Sequence, residues 1–310
     1  MNELELIKRL TASLPVNAAV VTGAGDDCAV LDLGVPGRWV LFKTDAVVEG
    51  VHFTREAAPG QIGHKALARC LSDFAAMAGQ PTAAVVTLGL PEPFDAEFLS
   101  ALYAGMNGLA TRYQVAIVGG ETTANPERLF VSLAMLGTVE QAKCVRRTGA
   151  KPGDAVFVTG RLGGSLAGRH LEFEPRLVEA DWLVEHVAVH AMIDLSDGLA
   201  SDLRHLMEQA QVGAELRTAS IPISPDAKRQ ARQEASGKTP LLAALTDGED
   251  FELLFTVAAK EAVPLLDGWK RRFPDLPLTC IGRITAEPGL RLRDKDGLRP
   301  LTEHGYIHFT

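Results

Sequence analysis

The sequence predicts a two-domain protein of the α/β (α+β) class, and three observations support this. A chain of 310 residues is long enough for two domains. Predicted strands and helices are mixed along its whole length. The pattern breaks between Arg146 and Gly153, where the chain is polar and rich in turn-forming residues. We therefore expect one domain over residues 1–148 and a second, C-terminal α/β domain over residues 149–310.

The first half of the chain alternates between helical and strand-like patterns. A short helix is predicted over residues 3–13. A compact apolar strand then runs from Arg38 to Lys43 and closes at Thr44-Asp45. From Gln61 to Ala78 apolar residues recur at helical spacing, which predicts a helix. The further elements predicted in this half are a strand over Thr82–Leu90, a helix over Phe98–Thr111, and strands over Gln114–Val118 and Leu129–Val139.

The second half restarts with a strand after the polar break. Leu199–Ala210 is its clearest helix, because Leu199, Leu203, Leu206 and Met207 share one face. The other predicted elements are strands over Asp154–Thr159, Ala191–Asp194, Phe251–Val257 and Leu278–Ile284, and a helix over Gly163–Leu171.

Composition and charge exclude several classes of protein. Hydrophobic residues make up 46% of the chain and charged residues 23%, as in ordinary globular proteins. No apolar run approaches the roughly 20 residues of a membrane span. The acidic N-terminus has no apolar segment of the kind found in signal peptides, so we expect a cytoplasmic protein. The net charge of −8 argues against a general nucleic-acid binder. The four cysteines form no CxxC pair, which disfavours a zinc or disulfide framework.

Acidic residues recur at the ends of the predicted elements. They occur in Gly25-Asp26-Asp27, Thr44-Asp45, Ser72-Asp73, Gly119-Gly120-Glu121 and Asp194-Leu195-Ser196-Asp197. Carboxylates so distant in sequence converge only if a cation holds them together. Oxygen ligands without a matching His or Cys set favour Mg²⁺ over zinc or copper. Each motif also has a simpler interpretation taken alone, because Gly-Asp turns and solvated helical Asp residues are common.

Two of these motifs also suggest contact with a ligand. Gly119-Gly120 follows a buried strand and would let the backbone approach a ligand closely, although a plain loop explains it equally well. Ser196-Asp197-Gly198 opens a clear helix. Ser and Asp are ordinary residues at a helix start, and free N–H groups at the same place attract phosphate.

The common nucleotide and hydrolase motifs are missing from the sequence. Residues 163–168 resemble a phosphate-binding loop, but Arg169 and His170 stand where the loop needs Lys and then Ser or Thr. The kinase glycine-rich loop and the Gly-x-Ser-x-Gly nucleophile motif are absent as well. The histidines show no metal-ligand spacing.

Taken in order, these motifs closely resemble the thiamine-monophosphate kinase family. The segments that distinguish this family from its relatives are Glu49-Gly50-Val51-His52-Phe53 and Gly248-Glu249-Asp250-Phe251-Glu252-Leu253-Leu254. The resemblance also includes Lys65-Ala66-Leu67-Ala68, Val118-Gly119-Gly120-Glu121-Thr122-Thr123 and the segment Ile193–Leu199. It covers nearly the whole chain from about residue 20.

The resemblance implies Mg²⁺-assisted, in-line phosphoryl transfer from ATP to thiamine monophosphate, giving thiamine diphosphate and ADP. It implies the two-domain fold of the aminoimidazole ribonucleotide synthetase superfamily. In that fold an N-terminal ATP- and metal-binding sheet domain also forms the homodimer interface, and the C-terminal domain completes a cleft that binds ATP. Several Mg²⁺ ions are implied, whereas the number of ions and a requirement for K⁺ stay open. Neither nucleic acid nor a membrane is an expected partner.

The resemblance also assigns roles to individual residues. The expected metal ligands are Asp27, Thr44, Asp45, Asp73, Glu121, Asp194 and Asp197. The expected ATP contacts are Tyr103, Gly119, Gly120, Arg147 and Ser196. The expected thiamine-phosphate contacts are His52, Glu249 and Tyr306. A general base is not expected.

This chain departs from the family pattern at four positions. Glu121 replaces the usual Asp, Cys70 stands where Asn is frequent, Asp247 precedes Gly248 in place of a second Gly, and Lys43 stands where a small polar residue is common.

Three other functions compete with this one. Selenophosphate synthetase needs a reactive Cys or selenocysteine followed by Lys in a Gly-rich N-terminal stretch, and Cys28 has no such neighbours. Aminoimidazole ribonucleotide synthetase would lack the segment Glu49–Phe53. The third alternative is a non-catalytic protein that binds divalent metal and responds to nucleotide.

Overall fold

The structure is a computed structural model that describes residues 3–233 and 237–306. The chain forms two compact units, and each contains one sheet. The six-stranded unit comprises Ala18–Cys144 and Gly168–Leu177, and the seven-stranded unit comprises Met1–Asn17, Val145–Ala167 and Val178–Thr310. The mixture of sheets and helices confirms the predicted class. The roles that we assign to residues 1–148 and 149–310 stay a prediction.

Regular elements account for most of the described residues. The helices are α1 (Glu3–Thr11), α2 (Pro59–Ala76), α3 (Ala96–Arg112), α4 (Leu177–His186), α5 (Leu199–Ala210), α6 (Pro225–Arg232), α7 (Pro240–Thr246) and α8 (Ala262–Arg272). The strands are β1 (Val20–Thr22), β2 (Ala29–Leu31), β3 (Arg38–Val48), β4 (Gln80–Leu90), β5 (Ala116–Ala124), β6 (Phe130–Glu140), β7 (Ala155–Thr159), β8 (Val189–Asp194), β9 (Gly213–Arg217), β10 (Leu253–Val257), β11 (Leu278–Thr285), β12 (Gly289–Asp294) and β13 (Gly297–Pro300). Within the described residues, no helix is both long and apolar enough to cross a bilayer.

The six-stranded sheet has the order β1-β2-β3-β6-β4-β5, and only the pair β4–β5 is parallel. Because side chains alternate along a strand, β3 serves both faces of this sheet. Leu41 and Val47 are fully buried on the face that α2 covers, whereas Phe42 on the other face is 44% exposed. Every residue of β3 has a partner in β6, from Arg38 opposite Glu140 to Val48 opposite Phe130.

Helices α2 and α3 pack with their backbones close together. A Cβ atom at Gly63 would lie 1.9 Å from the Leu102 carbonyl oxygen, and one at Gly105 would lie 1.9 Å from the Gly60 carbonyl oxygen. Only glycine leaves room for such an approach. The contact fixes α2 against α3, and α2 is the helix that carries Arg69 and Asp73.

The seven-stranded sheet has the order β13-β12-β9-β11-β7-β10-β8, and only the pair β12–β9 is parallel. All residues of β7 and β10 are buried, as expected for strands in the interior of a sheet. Helix α5 buries Leu199, Leu203, Leu206 and Met207 against the core of this unit, which confirms the predicted apolar face.

Two predicted strand ends and one predicted helix were wrong. Strand β3 continues to Val48, so Thr44 and Asp45 lie inside the strand, because the ladder with β6 continues through these polar residues. Strand β5 continues to Ala124 and includes Glu121, because it pairs with β4 up to that point. The predicted helix over Gly163–Leu171 is replaced by two 3₁₀ turns, since Gly163, Gly164 and Gly168 all adopt positive φ angles.

Candidate active site

Two of the predicted metal ligands, Asp73 on α2 and Asp27 in the loop before β2, meet in the six-stranded unit. Asp27 and Asp73 are 1% and 7% exposed, and carboxylate oxygens of the two residues lie within 4.8 Å of each other. Lys43 reaches the same place from β3 and donates from Nζ to Asp73 Oδ1 at 3.0 Å. Burial alone would lower the pKa of the Lys43 ammonium, but Asp73 and Asp45 raise it well above its ordinary value. A fixed positive charge therefore accompanies this acidic cluster.

Asp45 points to the same face of β3 as Lys43, and its partner is Arg69 of α2. Arg69 Nε donates to Asp45 Oδ2 at 2.9 Å, and Arg69 Nη2 donates to Asp45 Oδ1 at 3.1 Å. Burial would raise the pKa of Asp45, but Arg69 and Lys43 hold that pKa below its ordinary value. Asp45 is therefore a carboxylate throughout the neutral range.

Thr44 and Glu121 lie on the opposite face of the sheet from Asp45. Thr44 directly precedes Asp45 in β3, so the two side chains point to opposite faces. The Thr44 hydroxyl donates to the Leu133 carbonyl oxygen at 2.9 Å. Residues that are directly paired across a sheet have their side chains on the same face. Glu121 of β5 pairs with Thr87 of β4, Thr87 pairs with Ser132 of β6, and Ser132 pairs with Ala46 of β3. Ala46 is two residues after Thr44, so Glu121 and Thr44 share a face. This register separates β5 from β3 by three strand spacings, about 14 Å. The unit thus divides the predicted ligands between its two faces.

The two glycines of β5 have different surroundings. A Cβ atom on Gly120 would lie 1.8 Å from the Val86 carbonyl oxygen, so strand packing itself requires this glycine. Gly119 has a φ of +150° and open space where its Cβ would lie. Of the two, Gly119 is therefore the position with room for a ligand.

His52 and Tyr103 occupy other parts of the same unit. The His52 ring accepts a hydrogen bond at Nδ1 from the Val48 backbone N–H at 3.1 Å, so the proton of a neutral ring resides on Nε2. The Lys65 ammonium is fully buried and donates to the His52 carbonyl oxygen at 2.5 Å, which anchors the turn after β3. Tyr103 of α3 is half-buried, and this burial raises the pKa of its phenol.

A pocket of about 540 Å³ adjoins the segment that carries His52. Its lining is mostly apolar and aromatic, and it also includes four carboxylates and the guanidinium of Arg55. The apolar lining includes Phe53, Ile62, Leu90, Phe94 and Phe98, and the acidic residues are Glu49, Glu92, Asp95 and Glu127. Such a lining favours an aromatic or cationic group over an anion.

The seven-stranded unit brings together five of the predicted site residues. Asp194 ends β8, and Ser196 and Asp197 follow it in the turn that enters α5. The Glu249 N–H donates to the Ser196 carbonyl oxygen at 2.7 Å, and the Tyr306 N–H donates to the Asp197 carbonyl oxygen at 2.9 Å. Two of the three residues expected to contact thiamine phosphate, Glu249 and Tyr306, therefore flank the turn expected to contact ATP and metal.

Asp202 stabilises this turn from the first turn of α5. Its Oδ2 accepts hydrogen bonds from the Asp197 and Gly198 backbone N–H groups at 3.1 and 3.0 Å. Burial raises the pKa of Asp202 well above its ordinary value, Asp197 and Asp194 raise it further, and Arg147 lowers it. Arg147 thus lies within electrostatic range of the same turn. The helix start predicted at residues 196–198 is confirmed. The backbone N–H groups at this start donate hydrogen bonds to the Asp202 carboxylate and not to the Ser196 hydroxyl.

The donor atoms of both units suit a hard divalent cation. Apart from the Thr44 hydroxyl, the predicted ligands offer only carboxylate oxygens, which Mg²⁺ prefers. Asp27 and Asp73 form one close group, and donor atoms of Asp197, Asp202 and His205 form another within 4.8 Å. The residues present therefore fit Mg²⁺.

Several residues that shape the site were given no role in the sequence analysis, although Lys65 and Asp250 lie in segments that carry the family resemblance. Arg69 and Lys65 hold Asp45 and the His52 segment, and Asp202 and Asp250 hold backbone N–H groups. One signal was available, because Lys65, Arg69 and Asp73 are four residues apart and therefore share a face of α2. The role of Asp250 depends on a contact 87 residues away in sequence, which no local pattern reveals.

Comparison with known proteins gives a consistent result. Residues 25–139 match the family described as AIR synthase related protein, N-terminal domain. A thiamine-monophosphate kinase of Rhodopirellula baltica is 42% identical over 93% of this chain and 90% of its own length. A thiamine-monophosphate kinase of Escherichia coli K12 is 35% identical over 94% of this chain and 92% of its own length.

Solved structures extend the comparison to three dimensions. The structure described as AaThiL complexed with AMPPCP and TMP matches with a TM-score of 0.78 and 32% identity, over 99% of this chain and 97% of that chain. HypE of Escherichia coli, a hydrogenase maturation protein, matches with a TM-score of 0.72 and 21% identity, over 96% of both chains. At that identity the second match shows a shared fold alone.

Proposed function

Because this chain belongs to the thiamine-monophosphate kinase family, we propose that it transfers the γ-phosphoryl group of ATP to thiamine monophosphate. The products are thiamine diphosphate and ADP. The observation that carries the proposal is the match over 99% of the chain to a structure that holds AMPPCP and TMP. AMPPCP is an analogue of ATP, so that structure holds counterparts of both substrates.

The proposed chemistry needs no general base. The acceptor is a phosphate oxygen that is already ionised at neutral pH, so no proton has to be removed from it. The main barrier is the repulsion between two anions, which positioning and positive charge overcome. A site rich in carboxylates that bind cations, with Lys43 and Arg69 among them, matches this requirement.

We propose that each unit contributes carboxylate ligands for Mg²⁺. The ligands would be Asp27, Asp45 and Asp73 on the side of the six-stranded sheet that α2 covers, Thr44 and Glu121 on the opposite face of that sheet, and Asp194 and Asp197 in the seven-stranded unit. When bound, Mg²⁺ supplies charge neutralisation between the phosphates of ATP and the acceptor. The protein contributes rigid placement of these ligands, since Asp202 fixes the turn of Asp197 and Arg69 fixes Asp45.

The proposed ATP contacts combine backbone and side-chain groups. Gly119 offers open space beside its backbone, and Gly120 fixes the strand that presents it. Ser196 lies at the entrance to α5, where the helix dipole favours an anion. Arg147 supplies a planar guanidinium suited to phosphate, and Tyr103 supplies a half-buried ring for the nucleotide.

The proposed thiamine-phosphate contacts match the chemistry of that substrate. His52 can donate a hydrogen bond from Nε2, because its Nδ1 already accepts one from Val48. Glu249 supplies a negative charge for the cationic thiazolium or the aminopyrimidine. Tyr306 is 49% exposed and offers a ring face for stacking.

We further propose that the protein is a homodimer that pairs through apolar side chains of the sheet face opposite α2, the same face that carries Thr44 and Glu121. Phe42, Val85 and Leu136 lie on this face and are 44%, 41% and 46% exposed. Several neighbouring apolar side chains with such large exposed fractions are typical of a surface that binds another protein. Light scattering after size exclusion should give twice the 33.2 kDa of one chain. The requirement for K⁺ stays open, and the cytoplasmic location stays a prediction.

The decisive experiment supplies the purified protein with ATP, MgCl₂ and thiamine monophosphate. Chromatography should detect thiamine diphosphate and ADP in equal amounts, and chelation of Mg²⁺ should stop both from forming. Thiamine without its phosphate serves as the control acceptor and should give no diphosphate. ATP consumption without thiamine diphosphate, or no turnover at all, would refute the proposal.

A further inference from the structure

The loop over residues 163–165 resembles a phosphate-binding loop, but its backbone N–H groups are bound by the chain's own carboxylates. The Gly163 N–H donates to Asp250 Oδ1 and Oδ2 at 3.1 and 2.9 Å. The Gly164 N–H donates to Asp247 Oδ2 at 2.8 Å. Asp250 is 3% exposed, so its contact with Gly163 lies inside the protein. Two consecutive donors that would suit a phosphate thus bind the segment around Glu249 instead.

The conformation of this loop is closely constrained. Gly163 and Gly164 have φ angles of +83° and +70°, and a Cβ atom on either would lie within 2.6 Å of a backbone nitrogen of α7 or α6. Ser165 is fully buried, and its hydroxyl donates to the Gly248 carbonyl oxygen at 2.7 Å. The loop therefore provides a rigid support with three hydrogen-bonded links to the segment 247–250.

The supported segment has an unusual backbone. Gly248, Glu249 and Phe251 have φ angles of +71°, +52° and +50°. Left-handed conformations are uncommon for residues other than glycine, and they persist where surrounding contacts determine them. The opposite side of the segment is held by N–H groups of Glu249 and Phe251, which donate to the carbonyl oxygens of Ser196 and Leu195 at 2.7 and 2.8 Å.

We propose that Asp250 is a positioning residue that sets the direction of the Glu249 side chain toward thiamine phosphate, and that Ser165 assists it. This inference rests on the proposed function. Asp250 is adjacent to Glu249, and its carboxylate binds the fixed loop, which defines the backbone conformation from which Glu249 projects. Loss of the link would let the Glu249 backbone relax toward negative φ and turn the side chain away from its present direction.

The test compares Michaelis constants for the two substrates in the full chain. In Asp250→Asn an amide group replaces one of the two oxygens that accept from Gly163. We expect the KM for thiamine monophosphate to rise about tenfold or more and the KM for ATP to change less than about twofold. Ser165→Ala removes only a hydroxyl and should raise the KM for thiamine monophosphate about threefold. Ser100→Ala, on the exposed face of α3, is the matched control and should change neither constant.

A double-mutant cycle distinguishes positioning from general destabilisation. If Asp250 acts through Glu249, then Asp250→Asn should add less than about twofold to the KM in a Glu249→Gln background. Full additivity, or an equal rise of both Michaelis constants, would overturn the inference. Should Asp250→Asn fail to fold, the same cycle with Ser165→Ala decides the question. Wild-type protein that forms no thiamine diphosphate would overturn the proposed function and this inference together. An active wild type with unchanged KM values in both variants would overturn this inference alone.

Discussion

Replacing Glu215 with Gln should destabilise the seven-stranded unit at neutral pH but not in strong acid. Glu215 lies on β9 and is 7% exposed. Arg293 Nε donates to Glu215 Oε1 at 2.5 Å, and Arg283 Nη2 donates to Glu215 Oε2 at 3.1 Å. The hydrogen bond from Arg293, together with Arg283, lowers the pKa of Glu215 from 4.5 to about 2.

The size of the effect follows from this pKa. One pKa unit corresponds to about 1.4 kcal/mol of stability. If the Glu215 ion pairs were fully shielded from water, the shift from 4.5 to about 2 would stabilise the folded protein by ~3 kcal/mol. The side chains of Arg283 and Arg293 are 60% and 47% exposed, so solvent and salt reduce the contribution. We therefore expect Glu215→Gln to lower the free energy of unfolding by about 1–2 kcal/mol at pH 7.

The pH dependence gives the sign of the effect. The pKa is lower in the folded protein than in the unfolded chain, so the stabilisation is fully present above pH 4.5 and is lost as the pH falls toward 2. Urea unfolding followed by tryptophan fluorescence should show the wild-type and variant midpoints converging over that range. Glu287→Gln is the control. Glu287 forms an ion pair with Arg291, but its side chain is 80% exposed, so removal of its charge should have little effect on stability. A difference between Glu215→Gln and wild type that does not depend on pH would refute the reasoning.

Three further predictions concern packing and catalysis. Gly105→Ala should lower the free energy of unfolding by about 1–3 kcal/mol, because its Cβ would lie 1.9 Å from a backbone oxygen of α2. Gly108→Ala, on the open side of the same helix, should raise it by up to about 1 kcal/mol in thermal unfolding. Asp45→Asn and Asp73→Asn should each reduce turnover about 100-fold or more and weaken Mg²⁺ binding in calorimetry. Tyr306→Ala should raise the KM for thiamine monophosphate more than the KM for ATP in steady-state assays.

Each of these predictions has an outcome that contradicts it. Equal stability of the Gly105→Ala and Gly108→Ala variants would show that α2 and α3 do not approach closely. Near-normal turnover of both aspartate variants would show that Asp45 and Asp73 are not metal ligands. Asp32→Asn, in an exposed turn, is the control for these two variants. Equal changes in both Michaelis constants would place Tyr306 outside the substrate site.

Local sequence pattern predicted the elements with strong periodicity. The apolar face of α5 was visible in the sequence because its residues recur at helical spacing, and the same holds for α2. The extent of β3 and β5 was not visible, because polar residues such as Thr44 and Glu121 continue strands through pairing with distant partners. Short strands such as β12 and β13, and helices α4, α6, α7 and α8, were not predicted, since their patterns are brief or weak.

The candidate site was predictable to the extent that its motifs are local. The turn of Asp194, Ser196 and Asp197 was recognised as a helix start. The structure adds that Glu249 and Tyr306 are hydrogen-bonded to this turn over separations of 53 and 109 residues in the chain. Such contacts arise from tertiary packing, and a single sequence carries no record of them. The same limit applies to Arg69 and Asp250, whose partners lie on other elements.

The alternation of side chains along β3 has a consequence for how this segment can vary. Inserting or deleting one residue between Arg38 and Val48 would reverse every side chain beyond the change, moving Asp45 outward and Thr44 inward. A single insertion or deletion would therefore disrupt both the acidic cluster around Asp45 and Asp73 and the apolar face that carries Phe42. Natural variation should therefore consist of substitutions within the strand, whereas changes in length accumulate in the exposed turn near Gly34 and Gly37.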